Sequence, residues 1–169
     1  MSAPTTQTRE PIVNALTIDV EDYFQVSALA SHFPKDRWSS TECRVERNVH
    51  RILELMHQHE AKGTFFTLGW IAERYPKLVR LIAMEGHEIA SHGYGHERAS
   101  DQTPEAFLAD IQLAKVVLED IADCEVRGYR APIVAQPGGG WAYRDTGEPI
   151  VEAGGATPIQ HVAAQRDAV

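Results

Sequence analysis

The chain has 169 residues, enough for one domain with a real hydrophobic core, and its 43% hydrophobic and 24% charged residues are ordinary for a soluble globular protein. Its formal net charge of −8 argues against a nucleic-acid or anionic-membrane partner and leaves neutral or weakly charged ligands open. Two cysteines, Cys43 and Cys124, stand too far apart to form a redox or metal motif and read as reduced thiols.

Residues 1–11 are polar and read as a flexible N-terminus. They lack the apolar stretch of a secretory signal, and no run in the chain is long enough to span a bilayer, so a cytoplasmic location is the expectation. Ile12, Val13, Leu16, Ile18 and Val20 predict a buried strand over 12–20. Val49, Ile52, Leu53 and Met56 recur at helical spacing and predict a helix over 48–59 that stops at Gly63. Thr64-Phe65-Phe66-Thr67-Leu68 is short, β-branched and aromatic, a second strand.

A broken helical stretch follows, begun by Ile71 and Tyr75 and restarted at Pro76, with Leu78, Val79 and Ile82 on its apolar face up to Gly86. Residues 87–91 predict a third strand. Thr103-Pro104-Glu105 is a helix start with a capping hydroxyl and a first-turn proline. Phe107, Ile111, Ala114, Leu118 and Ile121 carry that helix to about residue 123, and residues 125–131 read as a fourth strand. The alternation of strand and helix argues for an α/β fold with a parallel sheet, a barrel or an open sheet, over a domain spanning 12–136. In such folds reactive residues gather where strands end. From residue 137 onward, Gly138-Gly139-Gly140 and Gly154-Gly155 replace the periodic pattern, so 137–169 reads as an atypical, poorly ordered tail with at most one marginal helix.

Three clusters can carry chemistry. Asp19-Val20-Glu21-Asp22 ends the first strand, and its three carboxylates repel one another unless a cation or basic partner neutralises them. Strand alternation places Thr17, Asp19 and Glu21 on one face; a solvated acidic turn is the plain alternative. His92-Gly93-Tyr94-Gly95-His96 ends the third strand and offers two imidazoles four apart, able to face one ion. Of the others, His32, His50 and His161 have no partner in view, His87 reads as a strand-edge residue, and His57 and His59, two apart on a helix, do not face each other. Two histidines and a carboxylate with open positions form a common catalytic set for a divalent metal, and a further acid is then free to act as base. Arg127-Gly128-Tyr129-Arg130-Ala131-Pro132 ends the fourth strand with an arginine that can hold a carboxylate; a surface arginine before a loop proline is the bland alternative.

In this order the three segments resemble the polysaccharide deacetylases of the NodB-homology type, carbohydrate esterase family 4. The family's usual Thr-Phe-Asp-Asp-Gly is similar to Thr17-Ile18-Asp19-Val20-Glu21-Asp22, which continues into Tyr23-Phe24-Gln25-Val26. That form resembles the subgroup found beside exopolysaccharide and exosortase (PEP-CTERM) gene clusters in bacteria. His92 to His96 resembles His-Ser/Thr-x-x-His, with Gly93 in place of the hydroxyl residue, and Arg130-Ala131-Pro132 resembles the third motif. Gly63-Thr64-Phe65-Phe66 and Gly86-His87-Glu88-Ile89-Ala90 match the family's strand sequences.

The resemblance implies a deformed (β/α) barrel of about seven strands and a hydrolase that removes N-acetyl groups from an exopolysaccharide. One divalent metal ion is implied, with zinc expected, and a polysaccharide or oligosaccharide substrate. Asp19 would be the catalytic base acting on metal-activated water and Arg130 its orienting partner. His92 and His96 would be metal ligands, with Glu21, or Asp22 in reserve, as the metal carboxylate. The family also has a tryptophan-bearing motif and a late histidine serving as general acid. Trp141 would occupy part of the next segment, whereas His161 follows Arg130 too soon and in the wrong surroundings to be that acid, so a barrel incomplete at its C-terminus is expected. The alternative is a truncated or degenerate non-catalytic relative that binds metal or glycan only.

Overall fold

A computed structural model describes residues 14–132, together with the backbone of two short strands at 142–143 and 149–151. The sheet order is β1 (Thr17–Val20), β2 (Thr64–Thr67), β3 (Glu88–Ser91), β4 (Tyr129–Arg130), β5 (Ala142–Tyr143) and β6 (Pro149–Val151). β1 to β4 run parallel, with Thr17, Ile18, Asp19 and Val20 beside Thr64, Phe65, Phe66 and Thr67, and these beside Glu88, Ile89, Ala90 and Ser91. With its helices the sheet forms a curled half-barrel, the expected fold class.

Register divides the sheet into two faces. Ile18, Phe65 and Ile89 lie side by side and pack into the main core, whereas Asp19, Phe66 and Ala90 lie side by side on the other face. Phe65 and Phe66 are both fully buried, so β2 is covered on both sides, as its run of apolar residues requires. Full burial of each ring contributes about 2–3 kcal/mol.

The helices cover the first face. α1 (Val45–Gln58) buries Val45, Val49, Leu53 and Met56, one stripe at helical spacing. It begins three residues before the expected Asn48 because its cap comes from far away: Asp22 accepts the backbone N–H groups of Arg44 and Val45. α2 (Gly69–Arg74) and α3 (Pro76–Met84) are separated at Tyr75, with Pro76 opening the second as expected. α4 (Pro104–Ala122) starts on Thr103, whose hydroxyl accepts the Ala106 N–H, and buries Ile111, Ala114 and Leu118.

Three expectations need correction. Gly63 does not stop α1, which ends at Gln58 with Glu60 in the left-handed conformation; a Cβ at residue 63 would meet the Leu16 carbonyl oxygen at 2.8 Å. The fourth strand is only two residues long because α4 satisfies the backbone before it. Val126 N–H donates to Glu119 Oε1 at 2.9 Å and its carbonyl accepts from Lys115. Strands β5 and β6 lie in the segment where the sequence pattern predicts none, and they continue the sheet antiparallel. The expected flexible residues 1–11 and the rest of 137–169, with Trp141 and His161, fall outside the described residues. Both cysteines are free, and no helix among the described residues is long and apolar enough to cross a membrane.

Candidate metal and catalytic site

Parallel register carries the three clusters to one end of the sheet. Glu21 follows β1, His92 follows β3, and Arg130 closes β4. Strand alternation gives Glu21 the face of Thr17 and Asp19, and the site forms there.

His92 and His96 are almost fully buried, at 3% and 7% exposure. Nε2 of His96 lies 2.7 Å, and Nε2 of His92 3.8 Å, from Oε2 of Glu21. That oxygen is buried and makes no hydrogen bond, so the 2.7 Å approach lacks hydrogen-bond alignment. One donor atom from each of Glu21, His92 and His96 lies within 4.8 Å of the other two. Ligands placed tetrahedrally about 2 Å from an ion sit about 3.3 Å apart, a spacing that these contacts bracket. An orphaned carboxylate oxygen facing two imidazoles fits a divalent cation.

The tautomer of His92 fits as well. Its Nδ1 is 2.9 Å from the Arg130 carbonyl oxygen, which can only accept, so Nδ1 carries the proton and Nε2 presents a lone pair. Burial lowers the His92 pKa, outweighing the nearby carboxylates of Asp19 and Glu21, and keeps the ring neutral. For Glu21, burial disfavours the charge, but His96 and His92 together offset it and hold the carboxyl below the usual range. His96 has φ of +55°, a left-handed conformation that costs a non-glycine residue about 1–2 kcal/mol and often marks function.

Asp19 stands beside this group, over a third exposed. Arg130 donates from Nη1 to Asp19 Oδ1 at 2.6 Å and from Nη2 to Thr17 Oγ1 at 2.7 Å. The guanidinium also lies over the Phe66 ring, 4.0 Å from its centroid. Sequence reasoning misses Thr17 and Phe66 as supports for the arginine. For Thr17 the signal was available in the alternation that puts it on the face of Asp19; Phe66 joins them through the register of β2 beside β1.

Asp22 is placed elsewhere, which corrects its standing as reserve metal ligand. Its carboxylate accepts the N–H groups of Tyr23, Arg44 and Val45, capping a turn and α1.

Half-barrel and cluster together define an α/β protein with a candidate divalent-cation site at the C-terminal ends of its parallel strands. The chain belongs to the polysaccharide deacetylase family, whose model matches residues 35–142, a span that includes His92, His96 and Arg130 and begins after Glu21. A peptidoglycan-N-acetylglucosamine deacetylase of Bacillus cereus is 33% identical over 91 residues, covering 54% of this chain and 39% of the relative. A chitooligosaccharide deacetylase of Azorhizobium caulinodans is 34% identical over 82 residues, covering 48% of this chain and 39% of the relative. The crystal structure of a provisionally assigned polysaccharide deacetylase from Mycobacterium smegmatis matches with a TM-score of 0.58 at 30% identity, over 70% of this chain and 42% of that one. The chain thus spans about two-fifths of the length of these curated relatives.

Proposed function

We propose that this chain carries the reaction centre of a zinc-dependent deacetylase that removes N-acetyl groups from an exopolysaccharide. The observation that carries this reading is the convergence of Glu21, His92 and His96 beside an Asp19 held by Arg130. Family membership supports the reaction class. The extended first motif, Thr17-Ile18-Asp19-Val20-Glu21-Asp22-Tyr23-Phe24, supports the exopolysaccharide as substrate through its resemblance to the exosortase-associated subgroup.

Glu21, His92 and His96 hold the cation, which when bound supplies a Lewis acid for the acetamide carbonyl and acidifies water. Asp19 takes the proton of the attacking water. Arg130 fixes the Asp19 carboxylate through Oδ1 and leaves Oδ2 available to that proton. Thr17 and Phe66 in turn fix the arginine. Protonation of the departing amine is assigned to no described residue.

Calorimetric Zn²⁺ titration of the full chain, run beside an acetate-release assay on chitin-type oligosaccharides, tests the reading. Asp19→Asn should still bind Zn²⁺ and release no acetate; full turnover by that variant sinks the assignment. Zn²⁺ uptake by the wild type without acetate release would instead identify a non-catalytic relative.

A further inference from the structure

Asp110 belongs to none of the three motif segments. It sits on α4, yet its carboxylate reaches the loop that joins the two clustered histidines. Oδ2 accepts the Tyr94 N–H at 2.9 Å and Oδ1 accepts the Gly95 N–H at 3.1 Å. The N-terminus of α2 holds the same loop by its carbonyls: Gly69 N–H donates to Gly93 at 2.9 Å and Trp70 N–H to Tyr94 at 3.2 Å. Residues 93 to 95 are therefore fixed through both their donors and their acceptors, immediately before His96 in its left-handed conformation.

Gly93 completes this arrangement. Its φ is +78°, and a Cβ there would come within 2.8 Å of Asp110 Oδ2. The glycine that replaces the hydroxyl residue of the second motif thus leaves room for the carboxylate that binds the next two amides.

We propose that Asp110 is a positioning residue for the cation site. It fixes the backbone of Tyr94 and Gly95, and through it aims the His96 imidazole at Glu21; Gly93 and Asp110 form a matched pair. This inference rests on the metal-site reading above. A carboxylate suits the task because it accepts from both amides at once. An asparagine in the same pose turns its NH₂ toward one of those N–H groups, and an alanine leaves both without that acceptor.

The test uses Co²⁺, whose visible absorption reports its ligand geometry, with the full-length wild type, Asp110→Ala and Asp110→Asn. Asp110→Ala should bind Co²⁺ about 10- to 100-fold more weakly and change the shape of the visible band, while its metal-free melt stays cooperative. Without metal, hydrogen exchange at Tyr94 and Gly95 should quicken in both variants. Wild-type affinity and spectrum in a folded Asp110→Ala chain overturn the proposal. If that variant does not fold, the same measurements on Asp110→Asn decide. A wild-type chain that takes up no Co²⁺ defeats the metal reading itself, whereas equal binding by wild type and variants defeats only the role of Asp110.

Discussion

Arg130 touches both halves of the site: its guanidinium bonds Asp19 Oδ1 at 2.6 Å, and its backbone carbonyl faces His92 Nδ1 at 2.9 Å. Side chain and main chain of one residue thus serve two purposes, and substitution separates them. Lysine retains the charge but cannot reach Asp19 and Thr17 with a planar fork. Arg130→Lys should lower kcat by about 10- to 100-fold and leave Zn²⁺ affinity near wild type, because the carbonyl contact survives. Parallel loss of metal affinity and turnover would show that the arginine does not act mainly through Asp19.

Asp22 illustrates how neighbouring carboxylates take different work. It is 5% exposed and accepts three backbone N–H groups, two of them at the start of α1. Asp22→Ala removes a cap and leaves buried donors unsatisfied, a combined cost of about 2–4 kcal/mol. The variant should melt well below wild type, yet bind Zn²⁺ with unchanged affinity at temperatures where it is folded. A chain that kept its melting temperature but lost the metal would restore Asp22 to the ligand set.

Much of this was legible in the sequence. Periodicity marks the apolar stripes of the helices, and strand alternation puts Thr17, Asp19 and Glu21 on one face. What escaped were contacts distant in sequence. The cap on α1 comes from Asp22, more than twenty positions away, and Lys115 and Glu119 take backbone groups of Val126 that a strand would have used. Asp110 escaped for the same reason. On α4 it is one more polar residue of an amphipathic pattern, and only the packing of α4 against the loop after β3 reveals its acceptors.

His87 should give stability a specific pH dependence. The residue is 8% exposed, its Nδ1 lies 3.3 Å from the Gly63 N–H it accepts, and its ring packs on Phe65. Burial lowers its pKa from the ordinary 6.5, Lys62 lowers it further, and Glu85 opposes them in part. The unfolded chain therefore binds this proton more readily than the folded one, and stability falls as pH drops below about 6.5, levelling off only below the folded pKa. His87→Asn keeps an acceptor for Gly63 and removes the titration. Urea unfolding from pH 7.5 to 5.5 should show a shallower loss in the variant; identical slopes would rule out this contribution.

Glu21 should separate the cation's contribution to stability from that of the metal-free fold. Its Oε2 lies 2.7 Å from His96 Nε2 and 3.8 Å from His92 Nε2, and these imidazoles outweigh the cost of burying its charge. Glu21→Gln keeps the shape, removes the charge, and can donate an amide hydrogen toward a neighbouring Nε2 lone pair. Without metal the variant should be no more stable than wild type, because the two imidazoles that favour the Glu21 charge in the folded chain lose their partner. With Zn²⁺ at about a hundred times the wild-type dissociation constant, wild type should gain about 2.7 kcal/mol and the variant far less, because it binds the ion weakly. Thermal melts of both proteins with and without Zn²⁺ give all four values. Equal metal-induced gains would mean that the carboxylate does not hold the ion, whatever its distance from the two imidazoles.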